Sequence, residues 1–161
     1  MRQEYLQRSD NRSQNEVRNL KLREIPNDKS VVSTYLEIGN SRVICSLYSG
    51  YSLEKRINLS EDCEIVVTIE DIQNDNIVNN ASATNLFHVD TALFVKRTLE
   101  SVICLDQHQK TYFEFVFEIL EREDGILSHL LNLSCYTLLK ANIMIKDVYS
   151  SSECVILDGN V

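Results

Sequence analysis

TYFEFVFEILEREDGILSHLLNLSCYTLLK, residues 111–140, decides the fold. Its first ten residues alternate. Phe113, Phe115, Phe117 and Ile119 share one face, while Glu114 and Glu118 point the other way, as in a strand with one buried side. The period then changes. Asp124-Gly125 marks a turn, and from about Leu127 to Lys140 the apolar positions Leu127, Leu130, Leu131, Cys135 and Leu138 recur at helical spacing. A turn that opens a helix aims several unbonded N–H groups at one point, which suits a phosphate. The glycine here leads into Ile126, Leu127 and Ser128, with no lysine or arginine.

Outward from this unit the same two periods continue. VVSTYLEI (31–38) and RVICSLY (42–48) flank Gly39-Asn40, a dipeptide at home in a tight hairpin, and CEIVVTI (63–69) supplies another strand. Residues 71–90 are rich in Asn and Asp and read as a loop. A helix is expected from Asp90 as N-cap through TALFVKRTLESVICL (91–105), burying Ala92, Val95, Leu99, Val102 and Ile103. ECVIL (153–157) reads as a last strand. The order β-β-β-α-β-α-β predicts an α+β domain with helices packed on a mostly antiparallel sheet.

Composition narrows the function. The chain has 161 residues, 43% hydrophobic, enough for one core. Asp and Glu number 24 against 16 Lys and Arg, for a net charge near −8, which argues against a general nucleic-acid binder and leaves room for a local basic patch. Residues 1–16 form a polar N-terminal segment without the apolar run of a signal peptide, and residues 17–161 read as a single domain. No stretch is long and apolar enough for a membrane span, so a soluble intracellular protein is expected, with no membrane partner. The five cysteines are odd in number, widely spaced and without a C-x-x-C pair, so buried thiols are expected rather than disulfides or metal ligands. Cys135 and His129 lie six apart on one helix and point away from each other, which does not suit a nucleophile and its base. His88, His108 and His129 have no metal-ligand spacing, and Glu121, Glu123 and Asp124 read as a solvated strand end rather than a divalent-ion site. No cofactor or metal is expected.

Four stretches, in order, resemble the motifs of the RNase PH family, specifically the RNase PH-like subunits of the eukaryotic RNA exosome ring. RSDNRSQNEVRNLKL (8–22) is similar to the opening R-x-DGR-x-x-x-ELR motif, and STYLEIGNSRVICSLYSG (33–50) to the hairpin GSAYVE-x-GNTKV-x-x-x-VYGP. FVKRTLESVICLDQHQKTYFEFVFEILEREDG (94–125) resembles I-x-x-ALESVI…PRT…VLQADGG, and ILSHLLNLSCYTLLKANIMIKDV (126–148) the helix ending in DAGIPM-x-D. The resemblance implies an RNase PH-like fold (ribosomal protein S5 domain 2-like) whose C-terminal half is shortened, so that the domain is incomplete at its C-terminus.

The departures from the family carry the functional expectation. Asn11 replaces a glycine, the proline expected after Ser49-Gly50 is missing, and Gln109-Lys110-Thr111 replaces Pro-Arg-Thr. The phosphate cradle of active members reads GGTRT or similar. Here it is Asp124, Gly125, Ile126, Leu127 and Ser128, with Leu127 at the position of a phosphate-binding arginine and expected to fill the cradle as core. Active members carry arginines before the helix at 91–105, whereas this chain has no Lys or Arg between Arg56 and Lys96 and seven acids in that interval. The resemblance also places the catalytic acidic motif of active members beyond Val161. Because clamping of charge is the main device available to phosphorolysis, these losses imply a subunit without catalytic residues. It would guide RNA to a nuclease on another subunit, in RNA turnover and rRNA maturation. Implied partners are other RNase PH-like ring subunits, cap proteins, and RNA through the assembled ring, in the nucleus, nucleolus and cytoplasm. Lys55 and Arg56, after the first hairpin, are the expected RNA contacts, and Arg8, Arg12 and Arg18 are expected to brace the N-terminal segment. The alternatives are an active phosphate-dependent 3′-to-5′ exoribonuclease and a shortened paralogue that binds some other protein.

Overall fold

A computed structural model describes residues 12, 16–51, 63–72, 81–123 and 125–154, with Tyr51 and residues 81–87 described by backbone alone. Strands β1 (Leu20–Ile25), β2 (Val32–Ile38), β3 (Ser41–Tyr51), β4 (Glu64–Asp71) and β5 (Thr111–Glu121) form one sheet in the order β1-β2-β3-β5-β4. Helix α1 (Ala81–Val102) connects β4 to β5, which run parallel, while the other three strand pairs are antiparallel. Helix α2 (Ile126–Lys140) follows β5. The α+β class, the largely antiparallel sheet and the layer of helices are as the sequence implies. Among the described residues no helix is long and apolar enough to cross a membrane.

Strand alternation builds the core. Phe113, Phe115, Phe117 and Ile119 are all buried on the helix-facing side of β5. The register places Val67, Phe115, Leu47 and Val32 in one row across the sheet, and Ile119, Val43, Leu36 and Leu22 in another. Onto these rows α1 sets Val95 and Leu99, Ile103 follows just past its end, and α2 sets Ile126, Leu130, Leu133 and Leu138, completing one hydrophobic cluster. Two buried threonines fix where α2 sits. Thr34 of β2 and Thr137 of α2 lie 2.6 Å apart through their hydroxyls, and Thr137 also donates to the carbonyl of Leu133 at 2.8 Å. Both hydroxyls are thereby satisfied without water.

The hairpin at Gly39-Asn40 is present, closed by the Ile38–Ser41 pair, and Gly39 takes φ +59°. Three expectations need correction. The first is a strand the apolar pattern does not reveal. LKLREI (20–25) forms edge strand β1, largely exposed, with Leu22 and Ile25 partly buried. Backbone pairing to β2 holds it, together with cross-strand pairs: Lys21 Nζ is 2.7 Å from the Glu37 carboxylate opposite, and the Arg23 guanidinium lies 4.6 Å from the centre of the Tyr35 ring opposite. The second concerns α1, which begins at Ala81, so Asp90 is an exposed residue inside the helix rather than its cap. No glycine or proline interrupts residues 81–102, so nothing in the chain forces the helix to begin at Asp90. The buried stripe of α1 is Thr91, Val95 and Leu99, with Ala92 and Val102 only partly buried, and Ile103, also buried, lies past the helix end in a bridge to Ile145. The third concerns the last strand. Glu153 and Cys154 are exposed and outside any strand, and residues 155–157 lie outside the described residues.

This packing makes a sharp comparison available within one strand. Phe115→Ala is expected to cost about 3–5 kcal/mol, because it empties a fully buried position. Glu114→Gln, one residue away on the opposite face, should change stability by no more than about 0.5 kcal/mol. Urea unfolding of the two variants measures both, and equal losses would mean that the two faces of β5 are not distinguished as described.

Candidate functional site

The turn that opens α2 is built as the sequence implies, with a different lining. Gly125 is the helix N-cap, with φ +83°, a conformation that L side chains rarely adopt. Its carbonyl accepts the His129 amide at 3.3 Å and the Ser128 hydroxyl at 2.8 Å. The only hydroxyl of the cradle is therefore engaged with the turn itself. Ile126 is buried in the core, whereas Leu127 is only partly buried and packs at the core margin, so Ile126 fills the place expected of Leu127. One step of a helix rotates a side chain by about 100°, and the turn geometry sends position 126 inward. Asp124 lies outside the described residues.

A carboxylate stands at this turn. Residues 149–153 run back along α2 towards its N-terminus. The Tyr149 hydroxyl is 2.6 Å from that of Ser134, and Asn132 and Ser151 exchange two bonds, Nδ2 to carbonyl at 2.8 Å and amide to Oδ1 at 2.7 Å. The strap ends with Glu153, whose Oε2 would be 3.8 Å from a Cβ placed on Gly125. The dipole at a helix N-terminus favours negative charge, so Glu153 occupies space where an external anion would be attracted.

Beside the turn lies a second group of residues that sequence spacing does not reveal. Arg18 Nη1 is 3.1 Å from Glu123 Oε2, Asn40 Nδ2 donates to Glu123 Oε1 at 2.7 Å, and the Glu123 amide donates to the Ser41 hydroxyl at 3.0 Å. Gly39 permits this approach, since a Cβ there would lie 3.3 Å from the Arg18 side chain and 3.2 Å from Glu123 Oε2. Arg12 Nη1 donates to the carbonyl of Glu16 at 2.8 Å. A cleft of about 260 Å³ opens among Arg12, Arg18, Asn19, Lys21, Glu37 and Gly39. Arg8, Lys55 and Arg56 lie outside the described residues.

The remaining reactive groups do not converge. Cys135 and His129 are both buried, and no hydrogen bond joins them. Burial pushes the Cys45 thiol up to about 12, and raises that of Cys63, so neither is a ready nucleophile. Glu121 pairs with Arg42 at 2.9 Å and Glu123 with Arg18, so these two carboxylates are turned towards cations rather than towards a common point. His88 Nε2 and Arg122 Nη1 each lie 3.7 Å from the buried carboxylate of Asp71, and His108 packs edge-on against Phe113 at 5.2 Å. Among the described residues no three His, Cys, Asp or Glu side chains are grouped to hold a metal ion.

His129 connects this site to pH. Its Nδ1 is buried without a hydrogen-bond partner, and burial first, then the Arg18 charge, lowers its pKa, while Glu123 opposes the shift. Since the folded state resists protonation, the stability carried by the neutral ring is complete above the unfolded chain's pKa near 6.5. It is lost as pH falls and the unfolded chain takes up a proton that the fold refuses. Unfolding free energy measured from about pH 7 down to 5 should therefore fall less steeply in His129→Gln than in the parent chain. Identical slopes would show that the ring is not held neutral.

Known proteins resemble the chain in both sequence and structure. No protein-family model matches it. It is 24% identical over 153 residues to a Caenorhabditis elegans protein named for the exosome complex component RRP41, covering 94% of this chain and 64% of that protein. The Caenorhabditis briggsae protein of the same name is 24% identical over 152 residues, with 94% and 63% covered. The chain thus spans just under two thirds of the length of these curated relatives. Among solved structures, the crystal structure of rice (Oryza sativa) Rrp46 superposes with a TM-score of 0.71 at 22% identity, over 88% of this chain and 64% of that one. The Archaeoglobus fulgidus exosome with RNA bound to the active site gives 0.62 at 13% identity, over 79% and 53%. The resemblance read from the sequence motifs is borne out: the chain is similar in sequence to proteins named for exosome component RRP41 and shares the fold of rice Rrp46.

Proposed function

We propose that the chain is a non-catalytic structural subunit of an exosome ring. It supports 3′-to-5′ RNA processing and turnover, including rRNA maturation, by guiding RNA to a nuclease carried elsewhere in the assembly. Its partners are other RNase PH-like subunits, cap proteins, and RNA inside the ring, and its compartments are the nucleus, nucleolus and cytoplasm. The relatives' names support the exosome assignment.

The observation that carries the non-catalytic part is the lining of the α2 turn. Phosphorolysis needs positive charge where the attacking phosphate and the scissile phosphate meet. Positions 126–129 supply two aliphatic side chains, a hydroxyl engaged with Gly125, and a buried histidine that resists protonation, while Glu153 adds negative charge nearby. Losing a single preorganised donor costs on the order of a hundredfold in rate, and residues 124–129 carry no lysine or arginine. Arg18, through Glu123, braces the N-terminal segment against the end of β5.

The purified chain, given a single-stranded RNA and inorganic phosphate, is expected to release no nucleoside diphosphate above a mock-purified control. Phosphate-dependent release would establish the active exoribonuclease instead. Within an assembled ring, changing Lys55 and Arg56 together to alanine should weaken RNA binding and reduce the slope of log affinity against log salt by about 2, one for each phosphate left without its cation. An unchanged slope would remove these two residues from the RNA path.

A further inference from the structure

We propose that the cleft beside the Gly39 turn is a binding site for a single phosphate group, held by Arg12, Arg18 and Lys21. This site is separate from the turn of α2, and it goes beyond the role of ring subunit. In a chain of net charge near −8, the cleft is lined by three cations and the Glu37 carboxylate, with the Glu123 carboxylate against Arg18 at its floor. The cations come from two pieces of chain, the N-terminal segment and β1, and converge on a floor of backbone at Gly39. Lack of a side chain at Gly39 lets Arg18 lie against the turn, with 3.3 Å from its Cδ and Nη1 to where a Cβ would stand.

Each cation is oriented from behind or beside. Glu123 holds Arg18 and is itself fixed by Asn40 and by Ser41, so the guanidinium is positioned by a network rather than by one contact. Arg12 is anchored on the carbonyl of Glu16. Glu37 orients Lys21 at 2.7 Å, and the lysine bond, with a second from Tyr35, holds the Glu37 carboxyl below its usual range, so the carboxylate stays ionised at neutral pH. Two guanidinium groups and an ammonium around one opening fit the tetrahedral oxygens of phosphate, which guanidinium can bridge in bidentate fashion. The volume, about 260 Å³, is below the usual span for a drug-sized ligand or a cofactor, roughly 300–1,000 Å³, and suits one phosphate with part of its attached group.

The phosphate could come from solution or from the backbone of a single-stranded nucleic acid, and two probes separate these sources. The intact chain is titrated with inorganic phosphate by calorimetry, and with a labelled single-stranded oligouridylate by fluorescence anisotropy, both at fixed ionic strength. Saturable binding of either probe is expected. R12Q/K21Q should weaken it about tenfold or more and, for the oligonucleotide, lower the salt slope by about 0.7, the share of one single-strand phosphate. K96Q/R97Q removes the same charge from α1 and should leave the slope as in the parent chain. Asn19→Asp, which adds a negative charge to the lining without removing a cation, should weaken binding in the same direction and decides the matter if the double variant does not fold. Binding of phosphate alone would identify a free-anion site, and binding of the oligonucleotide alone a backbone-phosphate site. Absence of saturable binding of both, or equal loss in R12Q/K21Q and K96Q/R97Q, would overturn the proposal. The assay needs neither a ring nor turnover, so its failure would leave the ring reading standing.

Discussion

The whole structure depends on the pairing of β3 with β5. These strands meet over ten register pairs, from Arg42–Glu121 to Tyr51–Thr111, and place β5 between an antiparallel neighbour and the parallel β4. Side chains in a strand alternate with a period of two, so a slip of one residue would turn Phe113, Phe115, Phe117 and Ile119 away from the helices together. Such a slip would also displace Glu123, and with it the contact to Arg18 and the start of α2. A bulge between Arg42 and Val43 absorbs one irregularity at the end nearest these groups. The rows across the sheet, the seat of both helices and the geometry around Gly39 are all set by this one register.

The two anion-related features differ in how charge and backbone combine. At the α2 turn the backbone is arranged as an anion site would be, with Gly125 left-handed at the head of a fifteen-residue helix, but the side chains at 126–129 are two aliphatic groups, an engaged hydroxyl and a buried imidazole, with the Glu153 carboxylate nearby. At the Gly39 cleft the side chains carry the positive charge and the backbone serves as floor. N–H groups at a helix end are worth a fraction of a charge and are offset by a nearby carboxylate such as Glu153, whereas an arginine contributes a full charge independent of pH. Backbone conformation alone is therefore a poor guide to which of two turns binds an anion.

The parts of the fold that could be read in the sequence are those whose side-chain pattern is set by burial. β5 buries one whole face, and its four apolar positions stand out at once. The β2–β3 hairpin is announced by Gly39-Asn40, and α2 by a run of leucines. β1 was not legible because an edge strand with Lys21 and Arg23 alternating against Leu20 and Leu22 owes its place to backbone pairing and to Glu37 and Tyr35 opposite, none of which is local. The start of α1 was not legible because Asp90 offers a plausible cap in a stretch that also continues as helix. Within the site, the Gly125 turn was visible and its lack of cations could be read directly. The cleft could not be found, because no spacing rule connects Arg12, Arg18 and Lys21 with the Gly39 turn, and Glu123, which positions Arg18, lies more than a hundred residues further on.

The β3–β5 pairing also bears on how the chain acquires its structure. β1, β2 and β3 form a local meander, but Thr111, where β5 begins, lies sixty residues beyond Tyr51, where β3 ends. Long-range pairings of this kind close late, since the loop entropy is lost before the contacts form. On a ribosome adding residues one by one, Val43, Cys45 and Leu47 wait for β5 with their apolar face uncovered and the outer edge of β3 unpaired. Such an edge is a template for the wrong strand. The interval before residue 121 has emerged is thus the stage at which this protein most needs a chaperone.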